Sequence, residues 1–310
     1  MSLHPPADKR VSLADAAALV GDGALVALGG GLSARLPMAL VRELVRQRRT
    51  GLHLVGSAHS IDVDMLVGAG AVRRCEESYV GFEQDLGLAP AYRRAAEEAT
   101  IEVAESCCAT ILAQLRAAEM GVPFLPVRGV RGSDIMSLHP EYAEITCPFT
   151  GETLVAVPPL RPDVALLHAP SGDRYGNLHL EQPYVLDERF ASASRMVVAT
   201  VDELVSTEEV TAAGVTIPGH LVAAVAQVPF GAHPSSCYPR YAYDRAHLRE
   251  YVTAAQAGPG DLEKYLAAYV QDSEESYRGA IGADRLTQLA GWSKSTEVWQ
   301  ELFSPAGGTS

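Results

Sequence analysis

The chain has 310 residues, 47% of them hydrophobic, with 25 Lys and Arg against 38 Asp and Glu and a net charge of -13. That length and apolar content bury a large core and exclude a disordered chain, and the acidic balance speaks against nucleic acid or an anionic membrane as the main partner, leaving room for local basic pockets only. The opening residues lack an apolar signal core and no run reaches the length of a membrane span, so a cytoplasmic protein is expected.

Ser12-Leu-Ala-Asp15 is a capping-box variant that predicts a short helix through Leu19 and Val20. The uninterrupted apolar run over 24–28 reads as a strand covered on both faces, as in a parallel α/β sheet. Gly29, Gly30 and Gly31 follow at its carboxyl end, and Pro37 suits the first turn of the helix whose apolar spacing starts at Met38. Ligands of open α/β sheets bind at this edge. The triplet serves either chemistry, by freeing amide N–H groups for a phosphate, carboxylate or oxyanion, or only the sterics of a tight turn. The dinucleotide fingerprint fails because position 34 is Ala, and no Gly-Lys-Ser/Thr follows.

Strand and helix then alternate: strands over 52–56, 72–79, 101–104 and 123–127, and helices over 61–67, 90–98 and 109–120, the last stopped by Gly121. This traffic predicts a mainly parallel open sheet with helices on both faces, joined by right-handed crossovers. From 128 to 151 the pattern breaks into a Gly-, Pro- and Ser-rich loop, long enough to suspect function. The chain is expected to form a single domain over 1–310, either undivided or as two lobes meeting near 128–151. Strands resume over 153–157, 164–168, 196–201 and 221–228, with a helix near 184–194 and a turn at Asp173-Arg-Tyr-Gly176-Asn177. Helices follow over 244–257, 261–270 and 284–289, and a flexible tail is expected over 304–310.

Five cysteines, Cys75, Cys107, Cys108, Cys147 and Cys237, form no Cys-x-x-Cys pair and no recognisable metal or disulfide framework. They read as buried free thiols. Nothing in the pattern points to a metal or redox cofactor.

Several segments together resemble the family I coenzyme A transferases, and within them the α subunit of the glutaconate CoA-transferase type. The opening stretch carries Asp22-Gly23, two spacers, three apolar residues, Gly29-Gly30 and a proline seven residues after Gly30; it departs where Gly31 replaces the usual Phe and Arg35 the usual Gly. Gly56-Ser57 with Ile61-Asp62-Val63-Asp64, Tyr79-Val80-Gly81-Phe82-Glu83, Ala89-Pro90-Ala91-Tyr92-Arg93-Arg94-Ala95, Gly121-Val122-Pro123-Phe124-Leu125-Pro126-Val127-Arg128 and Arg161-Pro162-Asp163-Val164-Ala165-Leu166-Leu167-His168 are similar to the same subunit. The most specific echo is Pro229-Phe230-Gly231-Ala232-His233-Pro234 followed by Cys237-Tyr238 and Tyr243-Asp244. The likeness runs over nearly the whole chain.

The resemblance implies an α/β sheet docked on a similar β subunit, as αβ, α2β2 or higher, with the active site at the junction and coenzyme A as substrate rather than as a bound cofactor. CoA then moves between an acyl-CoA and a carboxylic acid. A β-subunit glutamate attacks the acyl-CoA and expels CoA to give an acyl-glutamyl anhydride, which the CoA thiolate then converts into a glutamyl-CoA thioester as the acyl carboxylate leaves; one thioester replaces another of similar energy, so a carboxylate nucleophile suffices without ATP. That glutamate stands in a Ser-Glu-Asn-Gly type turn, which this sequence lacks. No residue of this chain is therefore assigned the attack, and Gly29, Gly30, Gly31, Ser57 and Arg128 become candidates for lining the acyl end. Arg128 opens a glycine loop after a strand and a guanidinium suits a distal carboxylate; a surface ion pair is the equal alternative. Asp62, Asp64 and Glu83 read as caps or solvated charges.

A second branch of the family hydrolyses or decarboxylates CoA esters, or opens rings, without the β glutamate. In the hydrolases an α-subunit acid takes a catalytic part in the segment matching Ile101-Glu102-Val103-Ala104-Glu105-Ser106-Cys107-Cys108. The register puts Cys108 at that acid's place, with Glu105 within a turn of it, so these two are the remaining catalytic candidates of the chain. A buried inert thiol is the plainer reading of Cys108. A CoA-binding or structural subunit without chemistry is the third possibility.

Overall fold

The computed structural model describes residues 7–182, 184–270, 272–294 and 296–303; the tail expected over 304–310 lies outside them. The first helix forms at Leu13–Ala18, and the Ser12 hydroxyl caps it by accepting from the Asp15 N–H. After the strand Leu25–Leu28 and the glycines, Pro37 stands at the N-cap of the helix Met38–Arg46.

The central sheet runs Val222–Gln227, Val197–Leu204, Val164–Gly172, Leu25–Leu28, Leu52–Val55, Val72–Glu76, Glu102–Val103 in spatial order, all parallel, with Leu178–His179 added antiparallel to Val164–Gly172. Val26 lies between Val164 on one side and Leu54 on the other. The chain leaves Leu25–Leu28 toward Leu52–Val55 and later returns to its opposite flank, so the strand order reverses there, the kind of point at which open sheets take ligands.

The strands are buried because helices cover both faces. On one face Leu28, Leu54 and Val164 pack with the helices Met38–Arg46, Ile61–Gly68 and Pro90–Glu97 and with Arg245–Ala257 and Pro259–Tyr269 near the carboxyl end. On the other, Ala27, Val55, Ala165 and Leu167 pack with Cys108–Met120 and Asp187–Ala193. Val164–Gly172 is buried at every position, so its polar His168 and Ser171 need partners inside the protein. A buried pair ties the carboxyl-terminal helices to the start of the fold. Arg42, 1% exposed, directs Nε and Nη2 to Glu274 at 2.8 and 2.6 Å and Nη1 to the His233 carbonyl at 2.8 Å.

Two expected strands leave the main sheet. Leu125–Val127 and Thr153–Val157 pair antiparallel with each other, and Ala143–Thr146 joins on the far side of Thr153–Val157. Pro126 has no N–H to give a ladder, which suits Leu125–Val127 to the edge it occupies. The segment over 128–151 is thus no bare loop; it contains a turn of helix at Ile135–Leu138 and the strand Ala143–Thr146. The single strand expected over 72–79 ends at Glu76, and Tyr79–Val80 pairs instead with Ala58–His59. Among the described residues no helix is long and apolar enough to cross a membrane.

Candidate functional site

Parallel strands discharge at one edge, so the segments after Leu25–Leu28, Leu52–Val55, Val72–Glu76 and Glu102–Val103 come together: Gly29–Gly31, Gly56–His59, Glu77–Ser78 and Ala104–Cys108. The glycines are there for space. A Cβ on Gly29 would lie 2.3 Å from Leu167 Cδ2, and one on Gly30, at φ 71°, would lie 2.4 Å from the Ala34 carbonyl oxygen. Gly31 is less constrained, its nearest neighbours being Ala58 O at 3.3 Å and Val185 at 3.4 Å.

Their amides are already engaged. Gly29 N–H donates to Leu166 O at 2.9 Å, Gly30 N–H to Asp187 Oδ1 at 2.9 Å and Gly31 N–H to Ala34 O at 2.9 Å. The expectation that the triplet offers free donors to an anion is corrected on that ground: the chain itself saturates them. Arg35, in the position where the family pattern has glycine, takes the left-handed φ of 50° that glycine favours. It is 3% exposed and pairs through Nη2 with Asp187 Oδ2 at 2.8 Å, while Nη1 reaches the Glu181 carbonyl at 2.9 Å. Burial pushes the Asp187 carboxyl up, against the pull of Arg35 and the Gly30 N–H.

Beside the triplet, Ser57 Oγ donates to Cys108 Sγ at 3.1 Å and Ser78 Oγ lies 2.9 Å from the same sulfur. Ser78 Oγ also hydrogen-bonds the Ser57 carbonyl. Cys108 begins the thirteen-residue helix Cys108–Met120, whose N-cap Cys107 supplies no capping side chain. The thiol is exposed, so the reading of Cys108 as a buried inert cysteine does not hold: it sits on the first turn, outside the core that claims Cys75 and Cys237. Glu105 is exposed as well, and its carbonyl is held by His139 Nε2 at 3.1 Å.

Behind these residues is a titratable group of side chains that the sequence did not flag. Glu77 is 4% exposed and neither carboxyl oxygen has a hydrogen-bond partner. His59 is fully buried, with Nδ1 2.5 Å from Asp62 Oδ2 and Nε2 unpartnered. Gly56 makes room for both, since a Cβ there would lie 2.5 Å from Glu77 Oε1 and 2.5 Å from His59 Cδ2. Burial raises the Glu77 carboxyl to about 8, with His59 pulling the other way. For His59, burial opposes the charge, but Asp62 and then Glu77 outweigh it and raise the imidazole to about 9. Both shifts favour the protonated forms of Glu77 and His59.

Of the two readings of Asp62 and Asp64, caps or solvated charges, the solvated one does not hold, since both are fully buried. Asp62 binds His59 and the Ser60 N–H, and Asp64 accepts from the Tyr92 N–H at 2.7 Å and the Tyr251 hydroxyl at 2.8 Å. Glu83 is exposed as expected. Arg128 stands on the small antiparallel sheet with 77% of its side chain exposed, its Nε and Nη2 forked onto Glu152 at 2.8 and 2.9 Å. Of the two readings of Arg128, the surface ion pair is the one present here, with Glu152 in the fork. A cavity of about 210 Å³ opens next to the glycine loop, lined by Leu32, Ser60, Phe82, Leu86, Tyr243 and Leu248 among others.

The family model described as coenzyme A transferase matches residues 10–227. An uncharacterized protein of Archaeoglobus fulgidus is 32% identical over 91% of this chain, which spans 64% of that longer protein. The A-type chain of the 3-oxoadipate CoA-transferase of Pseudomonas knackmussii is 35% identical over 80% of this chain and 87% of its own length. The cholesterol ring-cleaving hydrolase IpdA subunit of Rhodococcus jostii is 32% identical over 88% and 96%. Among solved structures, glutaconate coenzyme A-transferase from Acidaminococcus fermentans superposes with a TM-score of 0.86 at 31% identity, covering 91% of this chain and 95% of that one. A variant of the decarboxylase AibA/AibB gives 0.77 at 34% identity, covering 84% and 98%.

Proposed function

The chain belongs to the coenzyme A transferase family as a subunit of the A type, and from that premise we propose that it is the α subunit of a heteromeric enzyme that moves CoA between an acyl-CoA and a carboxylic acid. The attacking glutamate comes from a β subunit, in an αβ or α2β2 assembly or a larger one, and passes through a glutamyl-CoA thioester. The acyl end lies along Gly29, Gly30, Gly31 and Ser57. The five free cysteines suit the reducing cytoplasm.

One observation carries this reading: the edge gathers a steric gap, two hydroxyls and a thiol, while its own buried carboxylates are committed. Asp187 is held by Arg35 and Gly30, Asp62 by His59, and Glu77 is sealed behind Gly56. With those three withdrawn from the edge, the nucleophilic carboxylate is assigned to another molecule, exposed Glu105 being this chain's own competitor for the part. The test is to coexpress the chain with a candidate partner, incubate the complex with acyl-CoA and weigh each subunit. The expected CoA adduct sits on the partner; turnover by this chain alone, or an adduct on it, would refute the assignment.

A second reading, a CoA-ester hydrolase, ring-opening enzyme or acyl-CoA decarboxylase, is favoured by Glu77 and His59. Exchange of one thioester for another between carboxylates moves no net proton, whereas hydrolysis and loss of CO2 both need proton transfer. Exposed Glu105 and Cys108 stand at the same edge. Release of free CoA or CO2 without any acceptor acid, lost in Glu77→Gln, would select this branch.

A further inference from the structure

The segments 161–168 and 229–244 bring together a group of side chains that the acyl site does not use. His168 on Val164–Gly172, Asp202 on Val197–Leu204 and Cys237 in the following loop are all buried, and their ligand atoms lie within 4.8 Å of one another. Each is oriented from behind. His168 Nδ1 is 2.8 Å from Thr200 Oγ1, and Nε2 faces the cluster with the Tyr241 hydroxyl 3.4 Å away. Asp202 Oδ1 accepts the Phe230 N–H at 2.7 Å and the Tyr241 hydroxyl at 3.3 Å. Asp202 Oδ2, on a side chain 7% exposed, has no hydrogen-bond partner and lies 3.4 Å from His168 Nε2. Gly231 permits the approach, since a Cβ there would lie 2.7 Å from His168 Cε1.

We propose that His168 Nε2, Asp202 Oδ2 and Cys237 Sγ form a closed structural site for a divalent zinc-like cation, with the Tyr241 hydroxyl beside its fourth side. A buried carboxylate oxygen without a donor costs free energy, and a cation would satisfy it while taking the Cys237 sulfur as a thiolate. A tetrahedral ion with bonds of about 2.0–2.3 Å holds its ligands roughly 3.3–3.7 Å apart. The His168 to Asp202 distance already falls there, and the Cys237 sulfur lies within 4.8 Å of both ligand atoms. An imidazole, a carboxylate and a thiolate are a zinc-type set, and a ring N–H held by a second group is the usual setting of a ligating histidine. On binding, the Cys237 S–H bond breaks, an S–metal bond forms and the proton leaves to solvent.

Such an ion fastens the 229–243 loop to the sheet, and that loop carries the glycine segment. Ser236 O accepts from Arg35 N at 2.7 Å, Ser236 N donates to Ser33 O at 2.7 Å, and Ser235 Oγ accepts from Leu36 N at 3.0 Å. The proposal is independent of which acyl group is moved. The full chain is expressed in zinc-supplemented medium and analysed by elemental mass spectrometry, and in parallel refolded with Co2+ and read by absorption. Stoichiometric zinc, a thiolate-to-cobalt charge-transfer band and loss of both in Cys237→Ser and Asp202→Asn are expected. Substoichiometric zinc with no such band after refolding of the unaltered chain would overturn the site. So would stoichiometric metal that persists in the double variant.

Discussion

Ser57 and Cys108, 51 positions apart, meet at the sheet edge with Ser57 Oγ 3.1 Å from Cys108 Sγ. The sulfur is exposed while Cys75 and Cys237 are buried. In the separate chain, iodoacetamide is therefore expected to modify Cys108 well before Cys75 or Cys237, as peptide mass mapping reads. If this edge faces a partner, assembly slows the Cys108 reaction. Equal labelling in the free and assembled chain would place the junction elsewhere.

Arg35 and Asp187 form a buried pair, and removing one member leaves the other charge without compensation. Arg35→Ala is expected to destabilise the fold by about 3–5 kcal/mol, measured by urea unfolding. Arg35→Gly recovers part of that, because glycine relieves a left-handed backbone that costs a side-chain residue about 1–2 kcal/mol. Identical losses in the two variants would show that the backbone strain is negligible.

The glycines divide by what surrounds them. Gly30→Ala forces a Cβ to within 2.4 Å of Ala34 O at a positive φ, so a loss of about 1–3 kcal/mol and of activity is expected. Gly31→Ala meets nothing closer than 3.3 Å and should fold and melt nearly as the parent does. A severe defect in Gly31→Ala would contradict this division.

Stability should fall as pH rises above neutrality. Glu77 goes from 4.5 to about 8 on folding and His59 from 6.5 to about 9, so between those values the native state binds more protons than the unfolded one. The Glu77 contribution is complete below about pH 4.5 and lost through pH 8; that of His59 is complete below about 6.5 and lost through pH 9. Asp62 raises both groups, while Glu76 and Cys108 add to the rise of Glu77 and Asp187 to that of His59. The melting temperature should decline from about pH 7 to pH 9, above the range in which His233 and His247, lowered by burial, oppose it, and Glu77→Gln should flatten the slope. An unchanged slope in that variant removes Glu77 from the titration.

Arg128→Ala breaks only an exposed pair, so a stability change of about 0–1 kcal/mol is expected, with equal kinetics on charged and uncharged acyl groups. A selective loss on charged substrates would return Arg128 to the acyl pocket.

Much of the fold is legible in the sequence because its signals are local. The apolar run before Gly29 becomes a strand buried on both faces, and Gly121 ends its helix in the left-handed conformation expected of a C-terminal glycine. The Ser206-x-x-Glu209 box that opens Thr207–Ala213 is equally readable, although the expected elements omit that helix. Pairing is harder: Leu125–Val127 has strand composition, but only Pro126 hints that it sits on the edge of a separate antiparallel sheet. Ser57 and Cys108, which motif and position single out in the sequence, do meet at the edge. His59 and Glu77 are not singled out there, because their unusual states come from burial by Gly56 and from each other, relations that no spacing along the chain expresses. Arg35 is visible as an exception to a glycine pattern, yet its partner Asp187 lies 152 positions away.

The Arg42 to Glu274 pair bears on how far the protein can be trimmed. The recognised family region stops at residue 227, but a fragment cut there would strand a guanidinium inside the interior with no counter-charge, on the helix that directly follows the glycine turn. The carboxyl-terminal helices are for that reason an integral wall of the fold rather than an appendage, and truncation at that point should cost the chain its folding.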